Sequence, residues 1–175
     1  MQRAAPAGTG LTAVILGLDI DVVRDLCRDT ECDVANDNCP NQVVVSGARN
    51  AVEDVLARAK DAGARRAMPL ALSVPVHCRM QGPAADEMRD ALAHIEIAQP
   101  NATFIANKTA APMMDVNEIK DELVYQMTHG VRWRESVMEM HKLGITEQIE
   151  IGPGNVLTGL AGRICPEINA KKLEI

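Results

Sequence analysis

Of the four histidines in the 175-residue chain, one stands where it could do chemistry. His77 follows Val74-Pro75-Val76 and precedes Cys78-Arg79-Met80, with Gly82-Pro83 just beyond. His77 thus lies at a turn just past a predicted strand over residues 67–72, with Val74 and Val76 behind it and Pro75 holding it. The Gly-Pro pair reads as a helix start, because proline is favoured in the first helical turn. An imidazole held at such a turn suits general-base work, since it takes up and returns a proton near neutral pH. His94, His129 and His141 fall near predicted helix ends, where the helix dipole favours a cation, and read as capping or surface groups.

A base of this kind needs a nucleophile, and none is visible. Ser46, Ser73 and Ser136 all lie outside a Gly-x-Ser-x-Gly elbow. Cys78 adjoins His77, but successive residues of extended chain point apart. The five cysteines form no Cys-x-x-Cys pair, so they read as reduced thiols and a metal site is not expected. In the run from Gly152 through Gly154 to Gly159, Leu157 stands where a dinucleotide-binding turn needs glycine, and Leu160 where a Walker loop needs lysine. It reads as a tight turn between a strand and a helix, with a nucleotide site as the alternative.

The elements that must position His77 follow from periodicity. Residues 11–16 (LTAVIL) predict a strand, and Asp19 caps a helix to about residue 29 with Val22, Val23 and Leu26 inward. Residues 32–35 predict a second strand and residues 36–41 (NDNCPN) a turn. A third strand covers 42–46 and a helix runs to about 62. Residues 67–72 then predict an edge strand broken by Pro69. The order β-α-β-β-α-β is the split, ferredoxin-like arrangement, which hosts many functions. Beyond His77 the pattern is more helical. Helices are predicted over 82–93, 115–128, 133–143 and 156–164, with strands over 102–106 and 146–151. Ile95 and Leu143 are placed on inner faces, and the tail from Cys165 is expected to fray.

Composition bounds the function. The net charge of −6 with no basic block argues against nucleic acid. Neither a signal peptide nor a membrane-spanning apolar run is present, which points to the cytoplasm. With Phe104, Tyr125 and Trp133 the only aromatics, aliphatic side chains must build the core.

Five segments, in order, carry a resemblance over nearly the whole chain. They are Pro6-x-Gly8-x-Gly10; residues 35–47 (ANDNCPNQVVVSG); residues 74–80 (VPVHCRM); Gln126-x-x-x-Gly130-Val131-x-Trp133; and residues 150–160 (EIGPGNVLTGL). Together they resemble the C-terminal part of the malonyl-CoA:acyl carrier protein transacylases and related acyltransferase domains. The resemblance implies a mixed α/β fold. Residues 8–73 would form a ferredoxin-like small subdomain and residues 74–175 part of an α/β-hydrolase-like large one. It implies malonyl transfer from malonyl-CoA to the phosphopantetheine thiol of acyl carrier protein in fatty acid biosynthesis, without a cofactor. His77 matches the catalytic base and Gln126 the residue whose backbone carbonyl orients it. Asn36, Asn38 and Gln42 match residues lining the substrate cleft, and Val76 the position that tunes fit to the acyl group. The family's Gly-His-Ser-x-Gly elbow, oxyanion segment and carboxylate-binding arginine have no match in this sequence. The resemblance therefore implies a missing N-terminal portion and an inactive chain on its own. The alternatives are a fragment of a polyketide-type acyltransferase and a non-catalytic ferredoxin-like binding module.

Overall fold

The computed structural model describes every residue except Gln2, Ala7, Ser73, Glu174 and Ile175. Its first part runs β1 (Gly10–Leu16), α1 (Ile20–Cys27), β2 (Cys32–Cys39), β3 (Gln42–Ala48), α2 (Arg49–Asp61) and β4 (Arg66–Pro69). The four strands pair antiparallel in the order β2-β3-β1-β4, the ferredoxin-like topology. Alternate residues of each strand face α1 and α2. Ala13, Ile15, Val43 and Val45 meet Val23, Val52, Val55 and Ala59 in one core, each at most 1% exposed. Asp19 caps α1 as expected, its side chain accepting from the Asp21 N–H at 2.9 Å.

Local reading fails here in three places. Residues 36–39 are strand, not turn, and the hairpin closes on Pro40 and Asn41 alone. Pro40 presets φ and Asn41 accepts φ +60°, so two residues suffice. The Asx-rich stretch stays extended because the Asp37 N–H donates to the Val131 carbonyl at 2.9 Å and the Val131 N–H to Ala35 at 2.8 Å. Val22 is exposed, because α1 buries Ile20, Val23 and Cys27 at spacings of three and four. β4 ends at Pro69, short of residues 70–72.

The second part comprises a 3-10 turn (Arg79–Gln81), α3 (Gly82–Ala93), β5 (Phe104–Ile105), β6 (Pro112–Met113), α4 (Val116–Thr128), α5 (Trp133–Lys142), β7 (Glu147–Glu150), α6 (Val156–Ile164) and β8 (Asn169–Lys172). Asp115 caps α4 through the Asn117 and Glu118 N–H groups. Ile95 and Leu143 lie just past their helices and are exposed, so neither faces inward. Within the described residues the tail does not fray, because β8 pairs in parallel with β7; Glu174 and Ile175 lie outside the described residues. This two-stranded sheet carries exposed Ile149 (58%), and Ile151 just past β7 (71%) and Val156 at the start of α6 (66%) are exposed as well. Parallel sheets are ordinarily covered on both faces, so this is apolar surface of the kind that packs against something else. Among the described residues no helix is long and apolar enough to cross a membrane.

Candidate active site

The seam between the two parts carries His77. Its Nδ1 lies 2.8 Å from the Gln126 carbonyl oxygen. The acceptor is available for a simple reason. Gln126 sits in the last turn of α4, and the final four carbonyls of a helix have no intrahelical donor. With Nδ1 donating to that oxygen, Nε2 is the ring nitrogen left to act as a base.

His77 has φ +51°, a left-handed conformation that costs a side-chain-bearing residue about 1–3 kcal/mol unless its surroundings hold it. Several contacts hold it. The Val76 N–H donates to the Ser46 hydroxyl of β3 at 3.0 Å, and Ser46 also pairs with Thr12 of β1 at 2.9 Å. Gln81 donates to the Pro75 carbonyl at 2.5 Å. The Arg79 N–H donates to Asp33 of β2 at 2.9 Å, and the Arg79 guanidinium pairs with the same carboxylate. Pro75 packs on β1 because Gly10 has no side chain; a Cβ there would stand 2.3 Å from the ring. The loop is thus tied to three strands before the imidazole makes its own contact.

The α4 end is braced as fully. Asn107 donates to the Gly130 carbonyl at 3.0 Å and accepts from the Arg132 N–H at 2.7 Å. Glu122, 1% exposed, accepts the Asn107 and Lys108 N–H groups at 2.9 and 3.0 Å. Beyond lies Asp37, whose carboxyl is pushed up by burial although Arg134 Nε stands 2.9 Å away.

Asn36 pairs with Val44, two residues from Ser46, so it shares the sheet face that bears the His77 loop. Asn38 is half-buried near the hairpin. Gln42 accepts from Arg163 of α6 at 2.6 Å, so its carboxamide is tied to the second part. A cleft of roughly 460 Å³ is lined by Gln126, Asn107, Val131, Trp133 and the turn at Gly152, but not by His77, Val76, Asn36, Asn38 or Gln42. Cys78 is fully buried and burial raises its thiol, which removes it as a nucleophile.

No motif in the sequence marks the supporting roles of Ser46, Gln81, Asp33, Asn107 and Glu122. Only Ser46 left a local trace, a hydroxyl on the strand face opposite the apolar residues. Ser46→Ala leaves the Val76 N–H without its partner and the Thr12 hydroxyl with only the Val74 carbonyl at 3.5 Å. The expected cost is about 1–3 kcal/mol, read as a lower urea midpoint at unchanged slope.

No protein-family model matches the chain. Individual relatives do. A malonyl CoA-acyl carrier protein transacylase of Haemophilus influenzae is 40% identical over 174 residues, 97% of this chain and 56% of its own. The crystal structure of an acyl carrier protein S-malonyltransferase from Vibrio cholerae superposes with a TM-score of 0.96 at 40% identity, covering 99% of this chain and 58% of that one. A malonyl-transacylase in complex with a type II polyketide synthase acyl-carrier protein gives 0.93 at 38%, covering 98% and 57%. The chain thus spans little more than half the length of the relatives it matches, corresponding to their C-terminal portion.

Proposed function

We propose that this chain carries the catalytic base of a malonyl-CoA:acyl carrier protein transacylase. The single observation that supports this best is the 2.8 Å contact between His77 Nδ1 and the Gln126 carbonyl, which leaves Nε2 as the ring nitrogen for proton transfer on a tied loop. In this reading His77 takes the proton of a serine hydroxyl supplied by the family's N-terminal portion. The serine oxygen bonds to the malonyl carbonyl carbon, the thioester C–S bond breaks, and the departing CoA sulfur receives the proton. The phosphopantetheine thiol of acyl carrier protein then gives its proton to His77. Its sulfur takes the malonyl group, and the serine oxygen recovers a proton. Asn36, Asn38 and Gln42 line the approach of the pantetheine arm, and Val76 limits the acyl group. The reaction needs no cofactor, and the cytoplasm is its compartment.

The exposed apolar face at Ile149, Ile151 and Val156 suits packing against that N-terminal portion. The 175 residues alone should transfer no malonyl group, because the elbow and the oxyanion donors underlie most of the ~10⁶-fold or greater enhancement typical of enzymes. Mixing the chain with the N-terminal portion of a related transacylase should restore transfer, followed as labelled malonyl on acyl carrier protein. A mixture with no activity, from two parts shown to associate, would sink the proposal. Activity of the chain alone would sink the assignment of the nucleophile.

A further inference from the structure

We propose that His141, Cys165 and Glu167 form a binding site for one divalent cation of borderline softness, zinc(II) being the best fit. The site lies where α5 and α6 end and is independent of the transacylase reading. His141 stands in the last turn of α5, Cys165 is the C-cap of α6, and Glu167 follows it into β8. One ligand atom from each, imidazole nitrogen, Sγ and carboxylate oxygen, can lie within 4.8 Å of all the others.

Zinc bonds of about 2.0–2.3 Å in a tetrahedral arrangement set ligand atoms roughly 3.3–3.7 Å apart. Small side-chain rotations close the remaining gap. The thiol already lies 3.1 Å from Glu167 Oε2 and donates to it. A cation would take the place of that proton, which leaves to solvent as the metal–sulfur bond forms. Thiolate and carboxylate then balance the charge of a divalent ion, and neutral imidazole completes a sulfur, nitrogen and oxygen set.

Three features make the cluster more than proximity. Cys165 is 7% exposed and packs with Val137 and Ile168, so its sulfur is held in place before any ion arrives. His141 and Glu167 are exposed, which leaves an entry path and a fourth position for water. Two helices, α5 and α6, end at the site, and the partial negative charge of their carbonyl ends favours a cation. The neighbouring cation Lys142 is turned to Glu139 at 3.2 Å. Bound metal would tie the ends of α5 and α6 to the segment entering β8.

The test uses the whole chain, stripped with a chelator and titrated with cobalt(II) and then zinc(II). The expected result is one cobalt per chain, with a thiolate-to-cobalt charge-transfer band in the near ultraviolet and visible bands of a four-coordinate ion, all removed by one equivalent of zinc. Cys165→Ser should abolish the charge-transfer band. His141→Ala and Glu167→Gln should each weaken binding by ~10-fold or more, a loss seen even for outer-shell partners of metals. Both of those side chains are exposed, so the test stands even where Cys165→Ser disturbs folding. His94→Ala, on another helix, should change nothing. Absence of cobalt binding, or binding that survives all three substitutions and is therefore adventitious, would overturn the site.

Discussion

In enzyme reconstituted from this chain and an N-terminal portion, His77→Ala lowers kcat for malonyl transfer by about 10³–10⁴-fold, at the upper range of general acid–base contributions. In the proposed cycle every proton transfer passes through one imidazole nitrogen, so its loss should slow formation and breakdown of the malonyl-serine ester alike. KM for malonyl-CoA should change far less, because the proposed role of His77 is at the reacting atoms and not at the nucleotide. Gln126→Ala supplies the contrast. His77 contacts the Gln126 backbone oxygen at 2.8 Å, and that atom survives the substitution. Its rate should stay within a few-fold of the parent, whereas an orienting side chain would have cost far more. Steady-state kinetics of the two variants, with circular dichroism to establish folding, makes the comparison. Near-parental kcat in His77→Ala would remove it as the base.

Gly130→Ala should damage both stability and turnover. A Cβ at this position would stand 2.3 Å from the Val34 carbonyl oxygen, against backbone that has nowhere to go. β2 and the segment carrying Val131 meet there, and the pair of hydrogen bonds at 2.8 and 2.9 Å requires that approach. Forcing them apart costs about 1–3 kcal/mol, the usual range for overpacking, before the hydrogen bonds are counted. Gln126 lies four residues upstream, so its carbonyl moves with the seam and kcat falls as well. A lower urea midpoint together with reduced kcat is the expected pair of readings. Gly159→Ala, in α6 with open space around its Cα, should instead stabilise by up to about 1 kcal/mol, the helix-propensity difference. Equal behaviour of the two variants would refute the close-approach argument.

The βαββαβ order, the cap at Asp19 and the turn into α6 were legible in the residues, because each depends on spacing and residue type within one short stretch. The resemblance added Gln126 as partner of His77, which no local pattern could name. Only the tertiary structure decided the rest. Residues 36–39 are strand because Val131, far along the chain, satisfies the backbone of β2. Residues 169–172 are strand because β7 lies beside them. The His77 loop is held by Asp33 and Ser46 from two strands of the other part. His141 meets Cys165 and Glu167 only because α5 and α6 end together, at spacings that no metal motif uses. Periodicity records which face of an element is buried. It does not record which distant element covers that face or which polar groups meet across the seam, because those pairings are made by the folded chain as a whole.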